Sequence, residues 1–151
     1  MWSSVVAAVV AVSLCPGASP PVDGSVIAPF APIGRYAGHW GVDFAAPIGA
    51  AVEAPASGDV SFAGPVAGRL SVSIDHGRGI VSTVSYLSDV LVSRGDRVVG
   101  GAVVGRSGSS HGADGVHMSV RIEGVYVDPA FLLSCDVGDI TDALRLVPLA
   151  G

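Results

Sequence analysis

The sequence predicts an all-β domain, on three observations. Its 151 residues include 21 Gly and 10 Pro, with Val and Ala dominating the apolar set, a composition that favours short strands and tight turns over long helices. Leu70, Val72 and Ile74 alternate with Ser71, Ser73 and Asp75. Val116, Met118, Val120 and Ile122 alternate with His117, Ser119 and Arg121. Period-two alternation marks a strand with one apolar and one polar face. A chain of this length has room for one domain that buries its own core.

Charge and hydropathy exclude several function classes. All 8 basic residues are Arg, and 13 carboxylates leave a formal charge of −5, the wrong balance for a phosphate-backbone partner. Nucleic acid is therefore not expected. Mean hydropathy is +0.60, yet no apolar run approaches the roughly 20 residues that cross a bilayer, so no transmembrane helix is expected in the mature protein.

Residues 1–18 read as a secretory signal, with the apolar stretch Val5–Leu14 followed by Cys15-Pro16-Gly17-Ala18-Ser19 and small residues suited to cleavage near Ala18. This predicts a secreted or cell-wall protein. A buried N-terminal strand or helix competes with that reading, because no Arg or Lys precedes the apolar stretch. With the leader removed, Cys135 stands alone and no internal disulfide can form; with it retained, a Cys15–Cys135 bridge stays open.

Residues 19–37 form an arm, loop-like because Pro20, Pro21, Pro29 and Pro32 interrupt any ladder, with Phe30 and Tyr36 as anchors. The main domain spans 38–133. It opens on Gly38-His39-Trp40-Gly41-Val42-Asp43, in which an imidazole and a carboxylate lie four residues apart. Two glycines and Pro47 argue against a helix, and in a straight strand such residues sit about 13 Å apart, so only a bend at Gly41 brings both to one metal. Taken alone, the pair reads as a surface histidine and a turn former. His117, on the polar face of the 116–122 strand, is the third group that lets the pair be read as a metal site.

Between these ends, Ala51–Pro55 and Gly58–Gly64 predict two strands joined by a turn, and Ile80–Leu87 predicts another. His76 reads as a turn residue in His76-Gly77-Arg78-Gly79. Gly95–Gly105 has glycines spaced as in tight hairpins. Arg106–Gly115, rich in Gly and Ser, predicts a flexible polar loop, and His111 and Asp114 are read first as solvated residues of that loop. Val125–Val127 is a last edge strand stopped by Pro129, Ala130–Leu133 a helical turn, and the tail 134–151 has room for a short helix around Ile140–Leu146.

These stretches form an ordered series. Gly38-His39-x-Gly41-Val42-Asp43-Phe44-Ala45-Ala46-Pro47 is followed by Val52-x-Ala54-x-x-x-Gly58-x-Val60-x-Phe62-Ala63-Gly64 and by Ile74-Asp75-His76-Gly77. Then come Gly95-Asp96-x-Val98-x-x-Gly101, His117-x-x-Val120-Arg121 and Val127-Asp128-Pro129. The series resembles the lysostaphin/LytM-type zinc metallopeptidases, which cut peptidoglycan peptides, over about Gly38 to Leu133. The resemblance implies an antiparallel twisted sheet or small barrel-sandwich with a groove over the metal, and Zn2+ held by His39, Asp43 and His117. It also departs from the family at two catalytic positions. Gly115 stands where the first His of a His-x-His motif is expected, and Tyr86 where the His of a Tyr-x-His-Leu motif is expected.

Losing general acid–base help typically costs about 10²–10⁴-fold, so a large rate deficit is expected. Tyr86, His111 and Asp114 are the candidate substitutes, although a phenol is a better hydrogen-bond donor than base at neutral pH. Two functions remain open: a secreted zinc endopeptidase acting on wall peptides, or an inactive module that binds peptidoglycan peptide or regulates a cell-wall hydrolase. The Gly-Asp-x-Val-x-x-Gly hairpin also occurs in lipoyl-type carriers, but the chain has no Lys to carry the group.

Overall fold

A computed structural model describes residues 17–134. The expected leader up to residue 16, both cysteines and the helix expected around Ile140–Leu146 lie outside them. The described chain is almost entirely antiparallel sheet, as its composition predicts. It comprises β1 (Val26–Ala28), β2 (Ala31–Ile33), β3 (Ala37–His39), β4 (Val42–Ala45), β5 (Ala51–Glu53) and β6 (Gly58–Val66). These are followed by β7 (Arg69–Asp75), β8 (Ile80–Val90), β9 (Arg97–Val98), β10 (Val103–Ser110), β11 (Ala113–Ile122), β12 (Val125–Val127) and a single turn of helix, α1 (Ala130–Ser134). Ten strands make one sheet that does not close into a barrel, with β1 and β9 at its ends, while β2 and β3 form a separate hairpin.

β11 is the spine. Residues 113–115 pair with β10 and residues 117–122 with β8, while on the opposite edge 115–118 pair with β4 and 120–122 with β12. Its alternation is why it can serve there: Val116, Met118 and Val120 are buried with Val52, Val72, Ile74, Val84 and Val104, and Leu132 of α1 covers the same core. Each such side chain contributes about 1.5–3 kcal/mol by leaving water. That leaves His117, Ser119 and Arg121 on the other face, which carries the site.

Two local expectations change. The arm is not wholly loop: β1 pairs with β4, and β2 and β3 form their own hairpin, because Pro29 and Pro32 sit where the short strands need no interior ladder donor. The two strands expected at Ala51–Pro55 and Gly58–Gly64 form as β5 and β6, β5 pairing with β10 and β6 with β7 and β9. Arg106–Gly115 is not a flexible loop but the end of β10, a two-residue turn and the start of β11, with Ser110 opposite Ala113. The central turn residues His111 and Gly112 have φ of 49° and 86°, the positive pair that a two-residue hairpin with the sheet's twist requires.

Candidate metal centre

His39 ends β3, the chain bends through Trp40-Gly41, and Asp43 enters β4. The bend brings the two side chains together, with Nε2 of His39 3.0 Å from Oδ1 of Asp43. His117 stands opposite Asp43 in register, and its Nδ1 lies 2.7 Å from the same Oδ1 and 3.1 Å from His39 Nε2. Gly41 lacks a side chain for a spatial reason: a Cβ there would lie 2.5 Å from the His117 ring and 2.4 Å from the Met118 carbonyl oxygen.

The donor set fits zinc. His39 Nδ1 is 2.7 Å from the Pro29 carbonyl, which can only accept, so Nδ1 carries the proton and a neutral ring presents the Nε2 lone pair to Asp43 and His117. His39 Nε2, His117 Nδ1 and Asp43 Oδ1 are then three atoms that can each offer a lone pair to one cation, His117 by carrying its proton on Nε2. A dication satisfies all three. Two imidazoles and a carboxylate suit zinc, whose ligands stand about 3.3 Å apart in a tetrahedron of 2.0–2.1 Å bonds, about 0.2–0.6 Å wider than the separations of 2.7, 3.0 and 3.1 Å here.

Electrostatics favour the forms in which Asp43 and His117 could bind a metal. Asp43 is 2% exposed, and burial by itself raises its pKa; hydrogen bonds with His111 and His117 and the proximity of His39 outweigh that and hold it below the usual carboxylate value. Burial lowers the pKa of His117, an effect that Asp43 only partly opposes, so the neutral, ligating ring is favoured.

His111 was expected to be solvated, yet it belongs to the cluster. Its Nδ1 is 2.7 Å from Asp43 Oδ2 and its Nε2 3.0 Å from the Tyr86 hydroxyl. Ligand atoms of His39, Asp43, His111 and His117 all lie within 4.8 Å of one another. The signal for His111 was the His-Gly pair between alternating stretches, masked by the Gly/Ser composition around it. Tyr86 reaches the site because it is the extra residue of a bulge in β8: Leu70 pairs with Leu87 and Ser71 with Ser85, leaving Tyr86 between them at φ 64°. Asp114, exposed on β11, takes part in none of the contacts that join the cluster among the described residues. His76 is clamped elsewhere, between the Ser57 carbonyl and the Ser82 hydroxyl.

Beside His117 runs a groove whose floor is a ladder of hydroxyls, Ser71, Ser73, Thr83, Ser85 and Ser119. Trp40, Phe62 and Tyr126 stand along its walls with Arg121. The description "Peptidase family M23" matches residues 37–129, the segment that contains all four clustered residues. The chain belongs to peptidase family M23.

Within family M23 it is similar to "DD-carboxypeptidase/endopeptidase Mpg" of Neisseria meningitidis serogroup B, 37% identical over 94 residues, or 60% of this chain and 22% of that one. A crystal structure described as a putative peptidase M23 from Pseudomonas aeruginosa superposes with a TM-score of 0.69 at 33% identity, covering 80% of this chain and 51% of the other. A structure of the SpoIIQ–SpoIIIAH pore forming complex superposes with a TM-score of 0.65 at 26% identity, covering 78% and 91%. This M23 chain spans only 19–22% of the length of the first curated relatives it matches.

Proposed function

We propose that this M23 domain works at the cell wall, outside the cytoplasm, holding Zn2+ through His39, Asp43 and His117 and engaging peptidoglycan peptides in the adjoining groove. The observation that carries the reading is the convergence of three acceptor atoms within 2.7–3.1 Å at the groove. Zinc at such a site supplies a Lewis acid that polarises a peptide carbonyl. The chain's own residues supply the rest. The hydroxyl ladder offers donors and acceptors to an extended peptide backbone, and the aromatic walls pack against its side chains.

What the chain supplies poorly is proton transfer. Gly115 has no side chain, and the Tyr86 phenol is turned towards His111. Hydrolysis about 10²–10⁴-fold slower than in a relative with both catalytic histidines is the expected result. Incubating the purified protein with intact sacculi, with and without zinc, tests this: it should co-sediment and release peptides only slowly. Failure to bind sacculi or to release any fragment would sink the reading, and so would release at a full family rate that disappears in His117→Ala.

Export through residues 1–18 is part of the proposal. N-terminal sequencing should find mature chains starting near Ser19, and an intact Met1 end confined to the cytosol would remove this part. A second reading, a partner-binding regulator, is favoured by the likeness to SpoIIQ, whose structure is described in a complex with SpoIIIAH. It predicts capture of a cell-wall hydrolase rather than of sacculi.

A further inference from the structure

We propose that His111 is a fourth metal ligand, delivered by the β10–β11 turn and held in place by Tyr86, so that the protein itself closes the metal shell. The inference rests on the zinc reading above. It goes further in giving the metal a fourth protein ligand, which a substrate carbonyl would have to displace to reach it.

The arrangement of His111 repeats that of His39. One nitrogen of His39 is anchored on a fixed acceptor, the Pro29 carbonyl, and the other faces an Asp43 oxygen at 3.0 Å. In His111, Nε2 is anchored on the Tyr86 hydroxyl at 3.0 Å and Nδ1 faces the other Asp43 oxygen at 2.7 Å. With Nε2–H donated to the phenol, Nδ1 can present its lone pair to a cation held at Asp43. An imidazole whose second nitrogen is fixed by a partner outside the shell is how metal-bound histidine is normally oriented.

Ring geometry agrees. His111 lies 5.3 Å from His39 and 5.7 Å from His117 between centroids, each at 81°, and His39 and His117 are 4.9 Å apart at 68°. Three rings turned edge to face, with nitrogens directed at one carboxylate, surround a point rather than stack. Zinc sites closed by four protein ligands are the structural kind, whereas catalytic sites keep a position open.

The backbone is strained where this arrangement requires it. Five non-glycine residues among those described have positive φ, and two of them, Tyr86 and His111, form this contact. A bulky residue at φ 64° is strained and persists only where its surroundings hold it. The Arg69 guanidinium, 4.7 Å over the Tyr86 ring, is one such restraint. Tyr86 is thus a positioning residue for His111.

The test is X-ray absorption at the zinc edge on the zinc-loaded protein, with a competition titration for affinity. The expected result is three imidazoles in the unaltered protein and two in His111→Gly, a substitution that preserves the turn because glycine accepts its positive φ. Affinity should fall more than about 100-fold in His111→Gly, beyond the 10–100-fold typical of a lost partner outside the shell. Tyr86→Phe should lose about 10–100-fold while keeping three imidazoles and the melting temperature of the metal-free protein. Two imidazoles in the unaltered protein, or the same count in His111→Gly, would overturn the proposal but leave the three-ligand reading intact. Absence of stoichiometric zinc in the unaltered protein would overturn both.

Discussion

His117 and Asp43 face each other in register across β11 and β4, and their Nδ1 and Oδ1 atoms are 2.7 Å apart. Because both positions are fixed by the sheet, the geometry of the candidate metal site is built into the ladder and does not have to be assembled from loops. Asp43 touches all three of the other clustered residues, so it is the group whose loss should matter most.

Asp43→Asn should abolish zinc-dependent stabilisation. Zinc at about 100 times its dissociation constant contributes about 2.7 kcal/mol to the unaltered protein, roughly a 10 °C rise in melting temperature. The variant should show less than about a quarter of that rise in the same thermal scan. An undiminished rise would place the metal elsewhere.

Acidification of the metal-free protein should reduce stability in two stages. The folded-state pKa of His117 lies below its ordinary 6.5, so the unfolded chain binds the proton first, and stability present above pH 6.5 declines as pH falls from there. The pKa of Asp43 is held below 3.8, so its contribution is present above that value and is lost as pH falls further, through the folded pKa. Urea unfolding between pH 8 and 3 with a chelator present would resolve both stages, and His117→Gln should remove the first and diminish the second, because His117 helps hold the Asp43 pKa down.

Gly41→Ala should impair metal binding more than folding. The added methyl meets the His117 ring at 2.5 Å and the Met118 carbonyl at 2.4 Å, so the ring must leave its place opposite Asp43. Zinc affinity is expected to drop at least about 10–100-fold, the range seen when ligand orientation is lost. Isothermal titration against the unaltered protein checks it.

Putting histidine back at position 115 should fail. A Cβ on Gly115 would lie 2.1 Å from the Phe44 carbonyl oxygen, and the residue has a φ of 157°. Gly115→His is therefore expected to cost at least about 2 kcal/mol and to give no gain in hydrolysis, alone or with Tyr86→His. A turnover gain at unchanged stability would show that β4 can yield.

Much of this was legible because one residue at a time carried the signal. Alternation in Leu70–Ile74 and Val116–Ile122 reports the face each side chain takes, and Gly41 between His39 and Asp43 marked the bend that unites them. The end of β10 was not legible, because its glycines are there for close backbone approach. A Cβ on Gly108 would meet the Tyr86 carbonyl oxygen at 2.5 Å, so the residues that look like loop composition are what lets strands sit together. Tyr86 gave no warning either, since an aromatic residue in a strand carries no sign that it will take a positive φ. With both hidden, the contribution of His111 to the site was hidden too.

The Pro29 carbonyl that orients His39 and the β1 strand that covers one edge of β4 both precede the family-matched segment 37–129. That segment is consequently not a portable unit. A recombinant fragment trimmed to it would free the His39 ring to rotate and would bare the backbone of β4 along the edge next to the candidate metal site. Such a fragment is expected to self-associate edge to edge and to register as a poor metal binder, and an inactive result obtained with it would describe the cut and not the protein.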